Sequence, residues 1–203
     1  MKATKDAKPF DLPLREDALV ILQADHDHLR KLFAEFNRHL GDDEEMTAAK
    51  EAIVREACDL LDIHTQLEEE IFYPAVRKAL GEDELMQEAK IEHDTAGELM
   101  DDLRKLSPDD EIFDAKFIVL SEIAGMHMKK EEKEIFPLVR NAKMDMFALG
   151  RKISLRREVL VIGKRIGETL DEMNHNIHPV DEASAADAAG LLPDILIPPP
   201  GFR

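Results

Sequence analysis

The chain reads as an all-α protein: an up-down-up-down four-helix bundle with a fifth C-terminal helix and an irregular Pro-rich tail. Only Pro74, Pro108 and Pro137 fall between residues 14 and 178, and that interior is rich in Ala, Leu, Glu, Lys and Met, the side chains that lose least on entering a helix. Apolar residues recur there every three or four positions, as in Leu22, Leu29, Leu32, Phe33 and Phe36, which is the period of one helix face. Almost no stretch alternates polar and apolar as a half-buried strand does. Long helices joined by short loops pack as antiparallel neighbours.

Breakers then mark the elements. The first helix is expected from about Arg15 to Leu40, ended by Gly41-Asp42-Asp43. The second runs from about Thr47 to Leu80, with Gly81 as its stop and Pro74 bending or breaking its last turns,. The third covers about Asp83 to Leu106, stopped by Ser107-Pro108, and the fourth about Asp109 to Ala142, with Pro137 near its end. A fifth follows from about Met144 to Asn174. These elements divide the chain into an N-terminal arm (1–14), a bundle (15–142), a C-terminal basic amphipathic helix (143–178) and an irregular tail (179–203), which holds five of the ten prolines.

Charge narrows the range of partners. The 203 residues carry 27 Lys+Arg against 44 Asp+Glu, a formal net charge of −17. Such a surface repels phosphate backbones and anionic lipid, so neither nucleic acid nor a membrane surface is an expected partner. No apolar run reaches the length of a membrane helix, and the first twenty residues lack a signal-peptide core,. A single thiol, Cys58, forms no internal disulfide and fits a reducing compartment,. The expectation is a cytoplasmic protein.

The strongest signal is an internal repeat. Asp25-His26-Asp27 matches Glu92-His93-Asp94, with Leu32 and Leu99 each six residues beyond the His. The later segments match without a gap: His64-x3-Glu68-Glu69-x4-Pro74-x-Val76-Arg77-x-Ala79 and His127-x3-Glu131-Glu132-x4-Pro137-x-Val139-Arg140-x-Ala142. A duplicated helical hairpin builds a bundle with a pseudo-two-fold axis. Residues four apart lie about 40° apart on a helix and one turn along it. His64 with Glu68, and His127 with Glu131, therefore each present an imidazole and a carboxylate on one face. His26 and His93 add one imidazole from each remaining helix. Four His and two Glu facing one interior suit iron, and also manganese or zinc. A lone His on a helix is usually a surface or hydrogen-bonded core residue, and a Glu pair usually a solvated face. Here His64 follows Leu60-Leu61-x-Ile63, and a buried ionisable cluster without a cation would be costly.

At these residues the sequence resembles the hemerythrin-like (HHE cation-binding) family. The resemblance covers about residues 15–142 and rests on Ala24-Asp25-His26, the His64 motif ending Phe72-Tyr73-Pro74, Glu92-His93, and the His127 motif ending Ile135-Phe136-Pro137. It implies a four-helix bundle around an oxo- or hydroxo-bridged pair of Fe ions, with Mn or Zn as substitutes. The implied ligands are His26, His64, Glu68, His93, His127 and Glu131, the two Glu as bridges. It also implies a small diatomic or peroxide ligand at the metal, and a role in oxygen or nitric oxide sensing, peroxide chemistry or iron handling. Two alternatives stay open: a di-iron enzyme with peroxidase- or oxidase-like turnover, and a helical interaction module with a structural metal. In one respect the chain departs from oxygen-carrying members, which have a fifth His one turn from the position of His93. Here Ala89 and Gly97 stand at that spacing, so a substitute ligand or a more open second site is expected.

Other residues are assigned plainer roles. His28 points away from His26 and reads as surface, His39 ends a helix, and His175 and His178 read as flexible surface residues. Tyr73, the one tyrosine, is nine residues past His64 and about 180° away at 100° per residue. Its expected role is packing unless the pseudo-symmetry or the Pro74 bend redirects it. Cys58 and the methionines (Met86, Met100, Met126, Met128, Met144, Met146) read as core. Glu134, seven residues after His127, reads as an exposed helix-end carboxylate. The fifth helix carries Arg151, Lys152, Arg156, Arg157, Lys164 and Arg165 against Glu158 over residues 151–165. This basic stripe is expected to dock on the acidic bundle; a protein partner or a homodimer through this helix and the tail is the alternative.

Overall fold

The computed structural model describes residues 16–40, 47–81 and 84–176, and every regular element among them is helical. The expected N-terminal arm and C-terminal tail, with His178, lie outside the described residues, as does the side chain of His175. Two compact units divide the chain, residues 1–161 and 162–203.

The first unit begins with α1 (Ala18–Arg38). Its N-cap is Asp17, whose carboxylate accepts a hydrogen bond from the Leu19 amide at 2.8 Å, satisfying a donor the first turn leaves open. Helix α2 (Thr47–Leu67) continues through a π-helical turn, Glu68–Phe72, into α3 (Tyr73–Leu80). Gly81 closes it with φ 70° and donates to the Arg77 carbonyl, the left-handed cap that glycine adopts without strain. Helix α4 (Glu84–Leu103) returns across the bundle. The second repeat then copies the first: α5 (Phe113–Lys130), a π turn at Glu131–Ile135, and α6 (Phe136–Asn141). Helix α7 spans Met146–Asn176.

The fourth helix starts at Phe113, not near Asp109. Asp110 holds the intervening turn instead, its carboxylate accepting from the Ser107 amide at 2.8 Å and its carbonyl from the Phe113 amide at 2.9 Å. An Asp that bonds to nearby backbone competes with the helix ladder.

Two apolar clusters fill the bundle. One collects Leu29, Phe36, Ala57, Leu61, Met100, Phe117 and their neighbours, and the other Leu22, Leu67, Phe72, Met86, Ile135, Val139 and theirs. Along α1 and α4 the chain passes from the second cluster through a His to the first; along α2 and α5 it passes the opposite way. That reversal is the up-down-up-down arrangement, and it stacks the histidines in one polar layer between two apolar ones.

Helix α7 docks on the bundle through Leu149 and Ile153, both buried in the second cluster, with Leu160 and Val161 packed against it. At Gly150 the contact is backbone to backbone: a Cβ there would lie 2.1 Å from the Glu16 carbonyl oxygen. Arg156 grips exposed Glu70 at 2.6 and 2.9 Å. Of the basic stripe, Arg156 and Arg157 thus find carboxylates of their own chain. Met86, Met100, Met128 and Cys58 are buried as expected, whereas Met126 is exposed. No helix among the described residues is long and apolar enough to cross a membrane.

Candidate metal centre

The polar layer brings together all six residues singled out by the repeat. His26, His64, Glu68 and Glu131 form one group of converging donor atoms, and Glu68, His93 and His127 a second. All are buried, Glu68 and His26 completely. In the first group the two Nε2 atoms are 3.2 Å apart; His64 Nε2 lies 3.1 Å from Glu68 Oε1 and His26 Nε2 lies 3.2 Å from Glu131 Oε2. In the second, the Nε2 atoms of His93 and His127 are 3.1 Å apart, and they lie 3.4 and 3.8 Å from Glu68 Oε2. Glu68 therefore presents one oxygen to each group. Glu131 Oε2 lies 3.5 Å from His127 Nε2 as well, so it too faces both histidine pairs.

The outward nitrogens are all taken. His64 Nδ1 sits 3.1 Å from Asp25 and His127 Nδ1 2.8 Å from Glu92. His26 Nδ1 sits 2.9 Å from Glu132 and His93 Nδ1 3.1 Å from Glu69. An ionised carboxylate only accepts, so each Nδ1 carries a proton, and a ring that has given up its second proton to a cation turns its Nε2 lone pair inward. Two such lone pairs about 3 Å apart repel unless a positive charge lies between them. Glu68 Oε1 and Glu131 Oε2 accept no hydrogen bond although both are buried, a cost that coordination removes. Nitrogen and oxygen donors held by carboxylate partners are what a divalent or trivalent transition metal needs, and the residues fit it.

These four carboxylates were not singled out in the sequence, but the repeat contained them. Asp25 and Glu92 each precede a repeated His, and Glu69 and Glu132 each follow a repeated Glu. Asp25 has a further partner with no counterpart in the other half among the described residues: Arg157 of α7 donates to both of its oxygens, at 2.8 and 2.5 Å. Burial alone would raise the Asp25 carboxyl, but hydrogen bonds from His64 and Arg157 hold it below its ordinary range. Glu132 is supported by Arg30 at 2.6 Å and Gln23 at 2.8 Å.

Without a cation, the layer is tuned to hold protons. Burial by itself lowers His64, but Glu68 and Asp25 outweigh it and lift the imidazole to about 10. His127 is likewise lowered by burial and lifted to about 10 by Glu68, Glu92 and Glu131. Burial raises Glu68, yet the surrounding histidines pull it well below the usual carboxylate range.

Tyr73 departs from its expected position. Its hydroxyl lies 2.9 Å from Glu131 Oε1, 3.4 Å from His127 Nε2 and 3.5 Å from Glu68 Oε2. The π turn is the cause. The Tyr73 amide bonds to the Glu68 carbonyl five residues back, so the turn absorbs one residue and removes about 100° of phase. Pro74 explains the turn, since a proline ring strikes the carbonyl four residues earlier in an α-helix. Pro137 does the same in the second repeat, where the counterpart of Tyr73 is Phe136. Tyr73 stacks on His93 with ring centres 5.8 Å apart, and Phe136 on His26 at 5.6 Å.

The remaining candidates stay outside the layer. His28 is exposed and pairs with Glu56 at 3.0 Å, Glu134 is exposed, and Ala89 is buried in the second apolar cluster. A small apolar cavity of about 10 Å³ borders the layer, lined by His64, His93, Ala96, Ala124, His127 and Met128 among others.

Residues 17–139 match the hemerythrin HHE cation binding domain, and the chain belongs to that family. Its metal-binding character follows from that membership together with the two His/Glu groups. A DNA nickase of Nostoc sp. (strain PCC 7120 / SAG 25.82 / UTEX 2576) is 27% identical over 121 residues, which are 60% of this chain and 33% of the nickase. The chain thus spans about a third of that relative's length. The crystal structure of a hemerythrin HHE cation binding domain-containing protein from Mycobacterium kansasii shares the fold, with TM-score 0.59 and 21% identity. The alignment covers 79% of this chain and 94% of that one.

Proposed function

We propose that this protein holds two iron ions and binds a small diatomic molecule or peroxide at them, as a sensor or handler of that ligand. His26 and His64 would hold one ion, His93 and His127 the other, with Glu68 and Glu131 shared between them. The observation that carries the reading is the pairing of the Nε2 atoms, 3.2 and 3.1 Å apart with every Nδ1 tied to a carboxylate. Bound there, iron would supply reversible redox chemistry and open positions for the ligand.

The chain's own part is to orient and to exclude. Asp25, Glu69, Glu92 and Glu132 fix the ring orientations and make the imidazoles better donors. The two apolar clusters keep bulk water from the layer. The cavity beside His64, His93 and His127 is at the threshold for one water-sized molecule,, which favours a diatomic over an organic substrate. We further propose that residues 15–142 form the functional bundle and 143–178 a helical extension to it. The nickase activity of the Nostoc relative is not carried over: that match covers a third of the nickase, and a net charge of −17 opposes docking on a phosphate backbone.

The test is metal content of the full chain purified without added metal, with ultraviolet-visible spectra before and after exposure to air or nitric oxide. About two irons per chain and ligand-responsive bands, lost in Glu68→Gln, are expected for a binding or sensing centre. Sustained peroxide turnover would move the reading to an enzyme. Zinc, or a helical protein with no metal, would overturn it.

A further inference from the structure

We propose that the phenol oxygen of Tyr73 is itself a metal ligand, serving the ion held by His93 and His127. This rests on the two-ion reading above.

Three donor atoms of different residues surround this oxygen: Glu131 Oε1 at 2.9 Å, His127 Nε2 at 3.4 Å and Glu68 Oε2 at 3.5 Å. A phenol has one proton and can satisfy one of them. Glu131 is the nearest acceptor. His127 has its Nδ1 proton on Glu92, so a cation that displaces its Nε2 proton finds that lone pair beside the phenol oxygen, and Glu68 Oε2 is an ionised acceptor. With the cation bound, that is an arrangement of lone pairs, not of donors with acceptors. Ligands bound to one ion at about 2.0–2.2 Å stand roughly 3–3.5 Å from one another, the spacing seen here. The same spacing separates His93 Nε2 from His127 Nε2 (3.1 Å) and from Glu68 Oε2 (3.4 Å). Tyr73 is therefore placed as one more corner of the second group.

The repeat supplies an internal control. Donor atoms of His26, His64, Glu68 and Glu131 all converge in the first group, whereas in the second those of Glu68, His93 and His127 do, Glu131 Oε2 lying 3.5 Å from His127 Nε2 against 3.2 Å from His26 Nε2. Phe136, at the position equivalent to Tyr73, packs on His26 and brings no donor. The phenol thus stands on the side that Glu131 Oε2 approaches less closely. Its ring is held against His93 and the residue is buried, so the oxygen does not swing into solvent.

Phenolate bound to iron(III) gives an intense visible charge-transfer band, and excitation in that band enhances tyrosinate ring vibrations in the Raman spectrum. Imidazole, carboxylate and oxo ligands give no such ring modes. This chain has one tyrosine and no tryptophan, so any such mode has one source. The experiment is resonance Raman on the full-length iron(III) protein, beside Tyr73→Phe, with iron per chain measured in both. Expected are two irons and tyrosinate modes in the native chain, and in the variant loss of the band with at least tenfold weaker retention of one iron against a chelator. Two irons without tyrosinate modes, or a band that survives in Tyr73→Phe, overturns the ligand assignment and leaves the two-ion reading standing. A native chain that does not load two irons overturns both.

Discussion

His64 and His127 occupy equivalent places in the two repeats, yet their surroundings differ. Behind His64 stands Asp25, and behind Asp25 stands Arg157 from a helix outside the repeat. Behind His127 stands Glu92, partly exposed and, among the described residues, without an arginine clamp. Across the layer, the first pair of histidines faces Phe136 and the second faces Tyr73. The repeat therefore supplies the donors in matched sets, while Arg157 from outside it and the Tyr73/Phe136 difference make the two halves chemically unequal. On the proposed two-ion reading, one ion would be held from the C-terminal helix and the other would lie beside a phenol.

The largest effect is expected where both halves meet. Glu68→Gln removes the carboxylate shared by the two groups and should abolish binding of both ions, whereas His26→Ala or His93→Ala should spare more of the opposite ion. Metal analysis after gel filtration distinguishes these outcomes. Equal loss in all three would mean that the halves are not separable.

Smaller changes come from the supporting residues. Arg157→Ala frees Asp25 and should weaken the His26/His64 ion by about 10–100-fold, the usual range for such partners. Glu92→Gln should do the same to the His93/His127 ion. Chelator competition monitored site by site reads both. Gly150→Ala forces the start of α1 and α7 apart and should cost roughly 1–3 kcal/mol of stability, read by denaturant unfolding.

Proton occupancy makes a further test, on metal-free protein. His64 and His127 are lifted from 6.5 to about 10 on folding, so their contribution is complete below about pH 6.5 and disappears as pH rises through about 10. Glu68 and Asp25 are depressed; their contribution is present above their ordinary values and is lost as pH falls through the lowered ones. Stability of the metal-free chain should therefore decline at both ends of that window. Cation affinity should rise with pH across the upper part, because the ion displaces those protons. The smallest effect is expected at Arg156, the exposed neighbour of Arg157: Arg156→Ala breaks only a surface pair with Glu70 and should leave metal content unchanged, as exposed pairs contribute little.

Much of this was legible in the chain. Helix formers, breakers and three-four periodicity determined the helices, and the duplicated His-x3-Glu spacing determined which side chains share a face, because within a helix angle follows from residue number alone. Asp25, Glu92, Glu69 and Glu132 were visible as repeat partners, but their grip on the Nδ1 atoms depends on which helices become neighbours. Tyr73 shows where counting fails. A constant 100° per residue turns it away from His64, and the π turn before Pro74 turns it back. Arg157 lies more than a hundred residues from Asp25, so no local period relates them. Sequence by itself determined the donors, since spacing along one helix is local geometry. Only the tertiary structure decided what stands behind and beside them, since that depends on the packing of separate helices and on one widened turn.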